Sequence, residues 1–137
     1  MQFKIQDIDH VVLRVRDLAH MQQFYIDVLG CAIERSEPEL GLYQLRAGRS
    51  LIDLVPVDSP LGHAGGAAPQ SDQRHNVDHI CLRVAPFDSD HILDWLHSHA
   101  VETGPVTRRY GAQGFGPSIY LTDPEGNTVE LKGPPAP

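Results

Sequence analysis

Histidines and carboxylates set in apolar strands are the residues of this chain whose types and spacing could do chemistry. Residues 8–15 read Ile-Asp-His-Val-Val-Leu-Arg-Val, and residues 77–84 read Val-Asp-His-Ile-Cys-Leu-Arg-Val. His10 and His79 hold the same slot in the two copies, and Arg14 and Arg83 follow four places later. Two acids sit at matching places further on: Asp53 within Leu51-Ile52-Asp53-Leu54-Val55, and Glu130 within Thr128-Val129-Glu130-Leu131. A carboxylate in an apolar strand is costly to bury unless it is paired or bound to a cation. Two imidazoles and two carboxylates make a mixed nitrogen–oxygen donor set. It suits zinc, nickel, cobalt, manganese or iron, and affinity alone does not choose among them. Each residue also has a plainer use: a lone strand His is commonly a hydrogen-bonded structural group, and a strand acid often faces water. The pairing of His with acid in both halves favours the metal.

These residues need elements to position them. Ile8–Val15 alternates as a strand, with His10, Val12 and Arg14 on one face. Asp17 then caps a stretch with apolar residues at Leu18, Met21, Phe24, Tyr25, Val28 and Leu29, which is helical spacing, and Gly30 stops it. Residues 32–36, 42–46 and 50–57 read as three further strands with glycine turns between them. The first half is therefore β-α-β-β-β. The second repeats the order: strand 76–84, helix 89–100 with an apolar stripe, a strand or extended loop at 107–110, strand 118–122, a turn at Asp123–Asn127 and strand 128–132. The repeat period of 69 residues exceeds the range typical of solenoids and fits two fused copies of one unit. The chain reads as one α+β domain: module one over 3–58, an aperiodic linker over 59–76, module two over 77–132, and a tail over 133–137 expected to fray.

At 137 residues, with 41% hydrophobic and 21% charged residues, the chain can bury a real core as an ordinary globular protein. A formal charge of −7 disfavours nucleic acid and anionic membranes as partners. No apolar run approaches a membrane span and the N-terminus lacks a secretory stretch. Cys31 and Cys81 form neither a zinc-type pair nor a disulfide framework, so a reduced cytoplasm is the expected compartment. His20, His63, His75, His91, His97 and His99 read as bystanders. Tyr110–Gly116 reads as a mobile flap or a plain loop; it lacks the Gly-Lys-Ser/Thr of a phosphate loop.

Four stretches together carry a family likeness: Asp9-His10-Val-Val-Leu-Arg14-Val-Arg-Asp17-Leu; Phe24-Tyr25-Ile-Asp-Val-Leu29-Gly30; Val77-Asp-His79-Ile; and Tyr120-Leu-Thr-Asp123-Pro124-Glu-Gly126-Asn127-Thr-Val-Glu130-Leu. In them the chain resembles the vicinal oxygen chelate superfamily, which includes glyoxalase I, bleomycin-resistance proteins and extradiol dioxygenases. The resemblance implies two βαβββ modules forming a curved mixed sheet around a metal-binding cleft. It places His10, His79 and Glu130 on three ligand slots and Asp53 on the fourth, with Glu130 and Asp53 also as catalytic acids. Asp53 is one methylene shorter than the Glu usual there, so direct ligation, ligation through water, and no ligation all stay open. Arg14 falls where glyoxalase-like proteins hold a glutathione carboxylate, Arg83 is its counterpart, and Ser118 and Tyr120 share a strand face that could contact substrate. Val57 replaces an Asn that the glyoxalase pattern uses for the peptide.

The activity implied is that of a divalent-metal lyase or isomerase working through enediolate chemistry on a small carbonyl compound or its glutathione adduct, in a homodimer. A ferrous extradiol dioxygenase, an epimerase or antibiotic-modifying transferase, and a non-catalytic drug- or metabolite-binding protein are the alternatives the resemblance also admits.

Overall fold

A computed structural model describes residues 4, 6–66 and 77–136. The chain divides into two compact units, residues 1–70 and 71–137, and the protein is α+β with one four-stranded mixed sheet in each.

In the first unit the strands are β1 (His10–Val15), β2 (Ala32–Glu37), β3 (Leu42–Ala47) and β4 (Ser50–Pro56), in the order β1-β4-β3-β2. β1 runs parallel to β4, and the other pairs are antiparallel. The connection from β1 to β4 passes through a helix and the two strands β2 and β3, long enough for the crossover that parallel strands require. Helix α1 spans Leu18–Gln23, and Asp17 caps it by accepting from the His20 N–H. One π-helical turn, Phe24–Val28, follows, and Gly30 takes a φ of 82°, which ends the turn at little cost because glycine has no Cβ. Strand alternation sends Val11, Leu13 and Val15 to one face with Ile52, Leu54 and Leu45. α1 packs against β4, and Met21, Phe24 and Tyr25 are buried with that apolar set. His10, Val12, Arg14, Asp53 and Gln44 leave the opposite face.

The linker expected over 59–76 begins with structure. Ser59 accepts from the Gly62 N–H and caps a helical turn, α2 (Pro60–His63). Pro60 at the start of that turn and the serine cap are the local signals, which a composition reading absorbs into a loop. Residues 67–76, with His75 among them, lie outside the described residues.

The second unit repeats the plan. Its strands are β5 (Ile80–Arg83), β6 (Thr107–Gly111), β7 (Gly114–Thr122) and β8 (Thr128–Lys132), in the order β5-β8-β7-β6, with helix α3 over Ser89–Ser98. Leu96, Val101, Ile119, Leu121, Val129 and Leu131 form its core. Cys81, Glu130 and Tyr120 stand in one cross-strand row on the other face, and Arg83, Lys132 and Ser118 in the next.

Two expectations change here. The glycine-rich segment 111–116 is a tight β-hairpin in which Gly111 pairs with Gly114 across a two-residue turn, so it is not a plain loop. Gly114 has a φ of 104°, which allows the tight return. The tail expected to fray continues the sheet: the Gly133 N–H donates to the Pro117 carbonyl and the Ala136 N–H to the Phe115 carbonyl. Gly116 is the reason it fits, since a Cβ there would lie 2.7 Å from the Pro134 oxygen.

No helix among the described residues is long and apolar enough to cross a membrane.

Candidate functional site

Each unit builds the same short array. His10 stands at the start of β1, and His79 directly precedes β5. In both, the Nδ1 atom lies 2.8 Å from a carboxylate oxygen of the preceding residue, Asp9 or Asp78. An Nδ1–H donated to that carboxylate fixes the tautomer and the ring orientation, and leaves Nε2 to face the strand acid. His79 Nε2 lies 3.1 Å from Glu130 Oε1. His10 Nε2 lies 4.0 Å from Asp53 Oδ2. Both acids are on the buried side of the site: Asp53 is 3% exposed and Glu130 5%.

The second array is the better furnished. The Ser118 hydroxyl donates to Glu130 Oε2 at 2.9 Å. Arg109 Nη1 donates to Ser118 Oγ at 3.0 Å, and its guanidinium lies 4.2 Å over the Tyr120 ring. Tyr120 meets the His79 ring edge-on at 5.3 Å. Arg109, Ser118 and Glu130 are therefore one donor–acceptor chain, and His79 and Asp78 extend it as a line of close polar contacts. In the first array Gln44 Nε2 reaches both Asp53 oxygens at only 3.3 Å.

Local electrostatics follow these contacts. His10 has its pKa raised, first by the hydrogen bond to Asp9 and then by the Asp53 charge. Cys81 faces Glu130, and its thiol is pushed up to about 11, chiefly by burial and then by the Glu130 charge. A thiol held that high is not a nucleophile. Burial and the Glu130 charge also raise the Tyr120 phenol.

The donor set can be tested for fit to a metal. Bonds of about 2.0–2.2 Å to nitrogen and oxygen put neighbouring donor atoms about 3.0–3.5 Å apart. The His79–Glu130 separation of 3.1 Å lies inside that window, and the His10–Asp53 separation of 4.0 Å lies just beyond it. With Nδ1 protonated toward Asp78, a neutral His79 would turn an Nε2 lone pair toward a carboxylate oxygen. A cation or a proton must lie between them. Each unit thus offers two donors. Among the described residues no group of three or more His, Cys, Asp or Glu side chains is close enough to hold a metal ion.

The remaining residues read as site candidates fare differently. Arg14 is taken up by its own unit: Nη2 donates to the Gly62 and Gly66 carbonyls, and Nε is buried without a hydrogen-bond partner. Gly65 leaves the space this needs, because a Cβ there would run into the guanidinium. Arg83 is exposed beside Lys132. Ser118 and Tyr120 touch the Glu130 array as described. Sequence reasoning passed over Asp9, Asp78, Gln44 and Lys132, and it read Arg109 only as a possible anion contact. The two aspartates were visible, since both copies of the repeated phrase carry Asp before His.

Two βαβββ units, each with a His and an acid on the non-helical face, match a known class. Residues 7–131 fit the family model described as the Glyoxalase/Bleomycin resistance protein/Dioxygenase superfamily, and the chain belongs to that superfamily. It is similar to Virulence protein STM3117 of Salmonella typhimurium, at 28% identity over 96% of this chain and 86% of that protein. The solved structure VPC_CASS1 from the mobile metagenome of V. Pseudocholerae is 28% identical, with a TM-score of 0.77 over 99% of this chain and 100% of its own. Lactoylglutathione lyase from Agrobacterium tumefaciens shares the fold, at 22% identity and a TM-score of 0.68 over 95% of each chain.

Proposed function

We propose that this chain is a divalent-metal-dependent enzyme of the glyoxalase I-like kind, a lyase or isomerase acting on a small carbonyl compound or its thiol adduct. The observation that carries the reading is the array built twice: an aspartate orienting a His Nδ1, with Nε2 facing a buried strand acid. Carboxylate-oriented imidazoles of this kind are the usual support of metal-ligating histidines. The ligands proposed are His10, Asp53, His79 and Glu130. Each unit supplies two of these four donors, and the working form proposed is a homodimer.

The metal, one of zinc, nickel, cobalt, manganese or iron, would supply Lewis acidity toward substrate oxygens. The chain's own residues do the rest. Glu130 is the proton carrier, because it is buried and its second oxygen is held by Ser118. Arg109 fixes Ser118, and so fixes the angle at which Glu130 presents its lone pairs. Asp53 is the weaker ligand and the second acid. Tyr120 walls the His79 ring and keeps it upright.

The test is elemental analysis of protein purified without added metal, repeated on His10→Ala and Glu130→Ala. Stoichiometric metal in the parent and its loss in both variants support the reading. A metal-free parent that also takes up none of the five ions on dialysis ends it. Turnover of methylglyoxal with glutathione, assayed with each ion, then separates the glyoxalase assignment from other chemistry at the same ligands.

A further inference from the structure

The face of the second unit that bears Glu130 also bears two cations that the described residues leave unpaired. Arg83 on β5 and Lys132 on β8 stand in direct register. Their side chains therefore leave neighbouring strands, about 4.8 Å apart, on the same face. Like charges set opposite each other in a sheet repel and destabilise it. Neither side chain makes a salt bridge or hydrogen bond to a described residue. The first unit shows the contrast: Arg14, the counterpart of Arg83, is tied to two backbone carbonyls, and Val55 is the neighbour opposite it.

Lys132 is the more telling of the two. A surface lysine ordinarily lays its stem on the protein and keeps its head in water. Lys132 is only 7% exposed. Its stem runs across β7 and β6 over glycines: a Cβ at Gly111 would fall 2.6 Å from its Cε, and one at Gly116 would fall 3.1 Å from its Nζ. A side chain at either position would press on the lysine and force it to shift. Its ammonium is not among the atoms sealed from solvent without a partner. Burying a cation beside another cation is unfavourable unless something negative joins them.

We infer that Arg83 and Lys132 bind the oxyanion of a small ligand, a carboxylate or phosphoryl group, on the Glu130 face. This deepens the function proposed above and rests on it for the claim that the ligand is the substrate; the anion site itself needs no metal. Lys132 lies two residues along β8 from Glu130, roughly 7 Å. A short-chain acid could place its oxyanion at Lys132 and its reacting carbon beside Glu130.

The test is a backbone-amide NMR titration of the full chain with sodium acetate and, separately, sodium phosphate. Chloride holds the ionic strength, and each titration is run on protein as purified and after EDTA treatment. Saturable shifts at Arg83, Gly111, Gly116 and Lys132, surviving EDTA, are expected with at least one probe. The tighter probe tells carboxylate from phosphoryl recognition. Arg83→Gln and Lys132→Met should each weaken binding about tenfold, the usual loss for one charge-assisted contact. Arg83 is exposed, so Arg83→Gln keeps the test valid even where Lys132→Met does not fold. Shifts that never saturate, or unchanged affinity in Arg83→Gln, overturn the proposal. Anion binding in a chain that takes up no metal leaves this site standing and removes the metal reading; metal uptake without anion binding does the reverse.

Discussion

Removing Asp78 tests whether the array at His79 is a metal-binding device or a surface ion pair. Asp78 touches His79 Nδ1 at 2.8 Å, while its side chain is 96% exposed. Loss of an outer carboxylate behind a metal-bound His ordinarily lowers metal affinity by about 10–100-fold. That loss has two parts: the charge that makes the imidazole a better donor, and the hydrogen bond that fixes its ring. Water screens the first part at so exposed a carboxylate. The expected effect of Asp78→Ala is therefore near the lower bound, about tenfold. Asp78→Asn keeps an acceptor for the Nδ1–H and loses only the screened charge, so its effect should be smaller than that of Asp78→Ala.

The assay is competition for zinc or nickel against a chromophoric chelator at fixed pH, with Glu130→Ala as the reference for a lost ligand. Two results would refute the reasoning. If Asp78→Ala binds metal as the parent does while Glu130→Ala does not, the Nδ1 contact has no part in ligation. If Asp78→Asn and Asp78→Ala are equally impaired, charge and not orientation is what Asp78 supplies. The same pair of variants at Asp9 should rank in the same order, because the His10 contact has the same 2.8 Å length.

Three further outcomes are expected. Asp53→Glu should tighten metal binding, because one added methylene can close the 4.0 Å separation from His10, and chelator competition reads the change. Ser118→Ala should destabilise the fold by about 1.5–3 kcal/mol in urea denaturation, the range for a hydrogen bond to a charged group, since Ser118 is fully buried against a buried Glu130. Arg46→Met should return Glu34 toward its ordinary pKa, read by carboxyl NMR. Glu34 is lowered by its hydrogen bond with Arg46, so the stability it contributes is present above its unfolded pKa and is lost as pH falls through the folded value; both partners are exposed, so that contribution is small.

What the sequence made legible and what it hid divide along a physical line. Local periodicity and caps fix elements. Asp17, Gly30 and the alternation around Leu45, Ile52 and Leu54 gave the first unit's helix and strands within a few residues. Repetition fixed the plan, because two copies of one phrase require two copies of one unit. Features set by contacts distant in sequence were hidden. The hairpin at Gly111–Gly114 read as a loop because its glycines answer to the Lys132 stem and the tail backbone, which no local window contains. The tail itself read as frayed because its partners, Pro117 and Phe115, lie across a turn. Arg14 and Arg83 looked equivalent in sequence. Only the fold shows that the carbonyls of residues 62 and 66 occupy one of them.

That difference between equivalent positions bears on how duplicated units share work. Both units keep the oriented His and the buried acid, the pair proposed to face a metal. Around those two residues they have diverged in opposite senses. The first unit has a shorter acid, a wider His–acid separation, a valine opposite its arginine, and backbone carbonyls on the guanidinium. These changes leave its arginine satisfied by neutral carbonyls and its acid more loosely held. The second has a longer acid braced by Ser118 and Arg109, and beside it a lysine and an arginine without a described counterion. A substrate that needs both a cation near its oxygens and a positive contact for its charged end would find the second on only one of the two faces.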